Sequence, residues 1–272
     1  MFQYALGGVL SLKRKSELKF DLSWYEGQSP SYRRYALDAF AIRGEIASKR
    51  QLSAFRSPLA RLMEAFRSPA TKRIVHEKAP GFDPAVLEIP NNRYLDGYWQ
   101  SEKYFRDKSD LIKKEFTLKN GLGKTAQKIA EKIQETDSIS IHVRRGDYIS
   151  NLKFSAVHGT LPLSYYELGM KTVEQKVKNP HYFLFSDDLE WATQHLSSRF
   201  PVTVVTHEEM TENEQMHLMA LCKHHIIANS SFSWWGAWLD SRPDKIVIAP
   251  KNWFADPSKN ASDIIPPSWL KI

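Results

Sequence analysis

Three short strings in this chain carry residue types suited to an anionic ligand. In His142-Val143-Arg144-Arg145-Gly146-Asp147-Tyr148 two guanidinium groups stand side by side ahead of a glycine. Adjacent side chains on an extended chain point to opposite faces, so one arginine can meet a ligand while the other pairs with Asp147 or another acid. Arginine suits phosphate because its planar fork donates parallel hydrogen bonds and keeps its charge. A structural ion pair in a loop is the competing reading. In Phe185-Ser186-Asp187-Asp188 two carboxylates adjoin. One can cap a following helix, Asp187 with Glu190 fitting the capping-box spacing loosely, and the other is then open to a guanine edge. In Asn229-Ser230-Ser231-Phe232-Ser233-Trp234-Trp235-Gly236-Ala237-Trp238 small hydroxyl residues open a helix. There, first-turn N–H groups lack helical partners and can cradle a pyrophosphate. The tryptophans of that string are expected to pack the helix rather than touch a ligand.

Other candidates fail on spacing. Gly121-Leu122-Gly123-Lys124-Thr125 ends like a phosphate-binding P-loop, but Leu118 stands where that motif needs glycine. His207-Glu208-Glu209 lacks the second histidine of a zinc-protease helix, and His217, His224 and His225 lack metal-ligand spacing, so no metal site is expected. Cys222 falls in a helical pattern and reads as a buried, inert thiol.

The elements that must position these strings follow a βα rhythm after Thr136. Strands are expected at 138–143, 181–185, 202–205, 225–228 and 245–249, and helices at 163–178, 189–196, 212–222 and 232–239, with a loop after the first strand. Short apolar strands alternating with helices predict a parallel sheet covered on both faces. Such sheets bind ligands beyond the carboxyl ends of their strands, and all three strings lie just after strands. The first 135 residues read as mixed and helix-rich. Leu52, Phe55, Leu59, Leu62, Met63 and Phe66 have amphipathic spacing, broken by Pro58. A connector with Pro80, Gly81, Pro84 and Pro90 follows, then a short helix from Glu102 and a helical pattern over 110–133 interrupted by Gly121 and Gly123.

Length and composition bound the answer. The chain has 272 residues, 42% hydrophobic and 25% charged, which excludes disorder, collagen and coiled coil as the main architecture and suits about two domains. One cysteine excludes an internal disulfide framework, and no apolar run is long enough to span a bilayer. No secretory signal is visible, so a cytoplasmic protein is expected. The net charge of +7 favours anionic partners, by itself selecting none. Nothing resembles a nucleic-acid recognition motif, so no nucleic-acid partner is expected.

In their order and spacing the strings His142 to Tyr148, Phe185 to Asp188 with Trp191, and Asn229 to Leu239 resemble the α-1,2-fucosyltransferases of glycosyltransferase family 11, bacterial type. Met1-Phe2-Gln3-Tyr4-Ala5-Leu6-Gly7, His158-Gly159 with Tyr165-Tyr166, and Ile265-Pro266-Pro267-Ser268-Trp269 match as well, so the resemblance covers essentially the whole chain. It implies an α/β, GT-B-like fold of two Rossmann-like lobes with a cleft between them: residues 1–135 as the acceptor-side lobe and 136–272 as the lobe that binds the nucleotide sugar. It implies inverting, metal-independent transfer of L-fucose from GDP-β-L-fucose to the 2-hydroxyl of a terminal galactoside, with no other cofactor. Arg144, Asp147 and His158 are then the catalytic candidates, Asp147 and His158 competing for the general base. His142, Arg144, Arg145, Ser186, Asp187, Asp188, Asn229, Ser230, Ser231, Phe232 and Ser233 are the donor-binding candidates. The acceptor would be a galactose-terminated oligosaccharide or a lipid-linked glycan, reached at the inner face of the membrane with basic charge aiding peripheral contact.

Family members begin with a strand and a Gly-Gly-Leu-Gly-Asn-Gln turn ahead of Met-Phe-Gln-Tyr-Ala, whereas this sequence starts at that methionine. The amino-terminal lobe is therefore expected to be incomplete, with the helix from Phe2 surviving because its apolar side can still pack. A non-catalytic GDP-sugar-binding remnant and a fucosyltransferase of different linkage are the alternatives this leaves.

Overall fold

The computed structural model describes residues 1–26 and 34–272, apart from the side chains of Asp147, Ser150 and residues 152–154. The chain forms two compact units, residues 1–119 with 262–264, and residues 120–261 with 265–272. The division falls at 119/120 because the helix Lys124–Gln134 buries Ala126, Ala130 and Ile133 against Phe183, Phe185 and Val205 of the second unit's sheet.

Among its described residues the first unit has little sheet. Strand β1 (Lys19–Phe20) pairs in parallel with β2 (Glu45–Ile46), and β3 (Ile74–His76) with β4 (Tyr94–Asp96). Its opening helix, Phe2–Arg14, forms as expected and buries Phe2, Tyr4, Ala5, Leu6 and Leu10. The Tyr4 hydroxyl donates to Glu115 at 2.7 Å and accepts the Arg43 N–H at 3.1 Å. The amphipathic stretch over 49–66 is two helices, Lys49–Arg56 and Pro58–Ala65. Ser57 ends the first and caps the second, its Oγ accepting the Ala60 N–H, and Pro58 takes the first helical position, where its missing N–H is no loss. Asp263 returns to this unit by accepting the Phe82 N–H at 2.8 Å and pairing with Lys103.

The second unit is α/β, built on six parallel strands: β5 (Asp137–Val143), β6 (Pro180–Ser186), β7 (Val202–Val205), β8 (His224–Ile226), β9 (Val247–Ala249) and β10 (Leu270–Lys271). Their order is β10-β9-β8-β5-β6-β7, the doubly wound Rossmann order read from its far edge. On one face Ile139, Ile141, Val143, Tyr182, Leu184 and Ile226 pack on the helix Leu163–Glu174 through Tyr166, Met170 and Val173. On the other, Phe183, Phe185 and Val205 pack on Lys124–Gln134 and Glu212–Leu221. All seven residues of β6 are buried, as befits a strand covered on both sides.

Three features depart from the sequence reading. The expected loop after β5 is helical, as Gly146–Ser150 and Leu152–His158. A further edge strand, β10, follows β9; two residues are too few for any periodicity to show. The strand expected at 225–228 is His224–Ile226, because the chain leaves the ladder before Asn229. No helix among the described residues is long and apolar enough to cross a membrane.

Candidate functional site

The winding of the sheet reverses between β5 and β8, the switch point beside whose carboxyl ends doubly wound sheets bind their ligands. The arginine string follows β5, the double-aspartate string follows β6 and the serine–tryptophan string follows β8. The register pairs Val143 with Ser186 and Ile141 with Ile226, which sets the three strand ends side by side.

Arg144 Nη1 lies 3.1 Å from Asp187 Oδ2. Its guanidinium carbon stands 5.6 Å from the Tyr148 ring centroid, and its backbone hydrogen-bonds the Tyr166 hydroxyl. Arg145 turns the other way: Nε is 3.2 Å from Asp188 Oδ2, and the guanidinium lies over Trp191, 3.8 Å from the ring centroid. The two arginines thus divide, as an extended chain requires. Gly146 has a local reason: a Cβ there would stand 2.6 Å from Asp187 Oδ2.

The carboxylates do not divide as the sequence reading had it. Asp188, not Asp187, caps Leu189–His195, accepting the Trp191 N–H at 3.1 Å, while Ser186 Oγ accepts the Asp188 N–H at 2.9 Å. The cap falls one residue later because Asp187 is engaged by Arg144 and by the Arg145 N–H at 2.8 Å. Neither carboxylate is idle. Asp187 braces the arginine loop and Asp188 the following helix.

At the end of β8, Asn229 is buried and its Nδ2 donates to the carbonyls of His158 (2.8 Å), Gly159 (3.2 Å) and Trp253 (3.3 Å). Its Oδ1 is buried with no hydrogen-bond partner. The Tyr148 hydroxyl donates to the Asn229 carbonyl at 3.1 Å, joining the arginine string to the serine string. Ser230 caps the helix Ser231–Leu239 by accepting the Phe232 N–H. Ser233 is buried and its hydroxyl turns to the carbonyls of Ser230 and Ala228, so its side chain is spent within the fold. Ser231 is exposed and Phe232 half-buried. The N–H groups of Ser231 and Ser233 are the first-turn donors that the cap does not take. Trp234, Trp235 and Trp238 are buried against one another, and Trp234 meets Trp269 at 5.5 Å. Gly236 lets this helix approach Glu212–Leu221: a Cβ would sit 2.8 Å from Met219 Cβ.

His142 is only 4% exposed and has no partner for Nδ1; its ring lies 5.5 Å from that of Phe232. Burial, with Arg144 and His207 adding to it, lowers its pKa to about 3, so it stands as a neutral imidazole below the arginine. His158 stacks on Tyr148 with ring centroids 5.0 Å apart and planes 6° from parallel, and meets Phe254 at 5.5 Å. Gly159 after it has φ 62, a left-handed turn that suits glycine, which accounts for the His-Gly pair. The Asp147 side chain lies outside the described residues.

Some neighbours were not legible as site residues. His207, whose sequence context offers only a failed zinc ligand, has Nε2 at 2.7 Å from the Ser186 carbonyl and Nδ1 at 2.9 Å from Gln215 Nε2, which ties the end of β6 to the helix Glu212–Leu221. The P-loop look-alike is closed off: Glu214 occupies the Gly123 N–H at 2.7 Å, a carboxylate where a phosphate would have to bind. Among the described residues no group of three His, Cys, Asp or Glu side chains could hold a metal ion.

A Rossmann-ordered sheet with paired arginines and a serine-capped helix at its switch point defines an α/β protein arranged for an anionic ligand. This chain belongs to glycosyltransferase family 11, whose family model matches residues 55–272. Over its whole length it is 34% identical to an alpha-1,2-colitosyltransferase of Escherichia coli, covering 94% of that protein, and 32% identical to the O-antigen biosynthesis glycosyltransferase WbnK of Escherichia coli, covering 96%. Human galactoside alpha-(1,2)-fucosyltransferase 1 is 26% identical over 53% of this chain and 42% of its own length. A crystal structure of NodZ alpha-1,6-fucosyltransferase soaked with GDP-fucose is 17% identical with a TM-score of 0.48, covering 88% of this chain and 87% of that one. The resemblance drawn from the motifs is borne out at the level of the family.

Proposed function

We propose that this chain moves L-fucose from GDP-β-L-fucose to the 2-hydroxyl of a terminal galactoside, with inversion and without a metal. The observation that carries the reading is the 3.1 Å bond from Tyr148 to the Asn229 carbonyl, which brackets Arg144 and the amino end of Ser231–Leu239 into one neighbourhood. A departing diphosphate develops negative charge, and a transferase without a metal must meet it with cations or fixed dipoles. Arg144 supplies the first, and the N–H groups of Ser231 and Ser233 the second.

In this reading Asp187 holds Arg144 in place, and Arg145 positions the β6 loop through Asp188 and Trp191. His142 and one aspartate of the Asp187-Asp188 turn serve the guanine or ribose of the donor. Asp147 or His158 takes the acceptor proton late in the displacement. The acceptor is a galactose-terminated oligosaccharide or lipid-linked glycan, met at the inner face of the membrane.

The relative named as an alpha-1,2-colitosyltransferase favours a second reading, in which the sugar moved is colitose with the linkage unchanged. One experiment separates them: the chain is mixed with lactose and either GDP-fucose or GDP-colitose, and product linkage is read by NMR. A 2-linked fucosyl product supports the first reading, and a colitosyl product with no fucosyl one the second. Donor binding by calorimetry with no product from either would overturn both in favour of a non-catalytic remnant, and another linkage would overturn the 2-hydroxyl assignment.

A further inference from the structure

The helix Pro58–Ala65 is turned inside out. Leu59, Leu62, Met63 and Phe66 recur at helical spacing, the pattern of a face that seeks a core. Here they face solvent, 67%, 57%, 53% and 84% exposed. The side turned inward carries Ala60, Glu64 and Arg67. Glu64 anchors it, accepting the N–H groups of Arg73 and Ile74 at 2.6 and 2.9 Å and pairing with Arg67 at 3.5 Å. The helix is therefore held by its polar side and presents its apolar side outward.

The surrounding charge says what covers that face. Residues 49–73 contain seven Lys or Arg against the single Glu64, a net +6, with Arg56 paired to Asp21 from outside the segment. Lys49, Arg50, Arg61 and Lys72 are exposed. A second copy would bring the same positive field against itself, and a nucleic-acid backbone would leave the apolar side chains without a partner. An anionic lipid surface answers both features, taking apolar groups into its acyl boundary and cations at its headgroups. We propose that this face rests on an anionic bilayer, with Leu59, Leu62, Met63 and Phe66 entering the headgroup–acyl boundary and the exposed Lys and Arg residues meeting the headgroups. The attachment is independent of which sugar the chain transfers.

Vesicle sedimentation with the full chain tests it, needing neither donor nor acceptor, so its failure and that of the transferase reading are distinguishable. Vesicles of phosphatidylcholine alone are compared with vesicles of equal parts phosphatidylcholine and phosphatidylglycerol, at low and high salt. The expected result is roughly tenfold or greater preference for the anionic vesicles, reduced by salt. Leu62→Asp with Phe66→Asp should lower partition roughly tenfold or more, with the thermal melt unchanged because both side chains are exposed. Lys49→Glu with Arg50→Glu should reduce the lipid preference while leaving the apolar face intact. Should the aspartate pair disturb folding, Leu62→Ser with Phe66→Ser reads the same effect. Absence of binding to anionic vesicles, unchanged partition of the folded Leu62/Phe66 variants, or a dimer in sedimentation velocity that those variants dissolve would overturn the proposal.

Discussion

Arg144 Nη1 stands 3.1 Å from Asp187 Oδ2, so the cation at the end of β5 is held by a carboxylate at the end of neighbouring β6. The pairing keeps the guanidinium aimed before any ligand arrives, and a fixed charge needs no reorganisation when a leaving group develops its own.

Arg144→Ala should lower kcat by about 100- to 1,000-fold, since losing one such stabilising donor raises a barrier by about 3–4 kcal/mol. Arg144→Lys should fail nearly as badly, because a point charge lacks the fork. Steady-state rates with saturating donor check this, and near-normal turnover by the lysine variant would remove bidentate phosphate contact from the account.

Gly146→Ala should act through Asp187. The new Cβ would meet Oδ2 at 2.6 Å, so the carboxylate must shift and release Arg144 and the Arg145 N–H. We expect roughly a tenfold or larger drop in kcat/KM, in line with a catalytic group displaced by about an ångström. A variant as active as the parent would show that Asp187 does not position Arg144.

Arg145 should matter to stability more than to chemistry. Its guanidinium lies over Trp191 at 3.8 Å and its Nε reaches Asp188, both part of the helix that follows β6. Arg145→Ala should lower unfolding free energy by about 1–2 kcal/mol, the range of a partly desolvated cation–π contact. Urea denaturation measures it, and Arg145→Lys should recover part of the loss. An unchanged midpoint in the alanine variant would contradict the bracing role.

Acid should destabilise the fold. Burial lowers His142 to about 3 and His225 to about 4, Asp240 opposing the shift in the latter. His225 sits wholly buried, Nδ1 at 2.9 Å from Ser140 Oγ and Nε2 at 3.1 Å from Asp240 Oδ2. In the unfolded chain each imidazole takes its proton near pH 6.5. Between there and the folded values the unfolded chain binds more protons, so stability falls as pH drops from about 6.5 toward 4. Burial lowers His181, His217 and His224 in the same direction. Together the two buried rings should contribute on the order of a few kcal/mol. Melting temperatures taken from pH 7 down to pH 4 test it: a flat profile contradicts the buried-neutral state of both.

The sequence by itself determined the second unit and the identity of its strings. Strand and helix alternate there with clear apolar runs, and Asn229-Ser230-Ser231 before three tryptophans marks a strand end, a helix start and a core face at once. That information is local, carried by periodicity and capping chemistry over a few residues. Which aspartate caps, and which arginine each carboxylate holds, was not readable, because the choice depends on β5 and β6 lying side by side across more than forty residues of chain. His207 escaped notice for the same reason: its partners Ser186 and Gln215 meet it only after folding. The spacing of Leu59, Leu62, Met63 and Phe66 was plain in the sequence, but an apolar stripe does not say whether it faces a core or water. Only the anchoring of Glu64 to the Arg73 and Ile74 amides decided that, since one helix can bury only one side and the half-buried carboxylate had found its donors there.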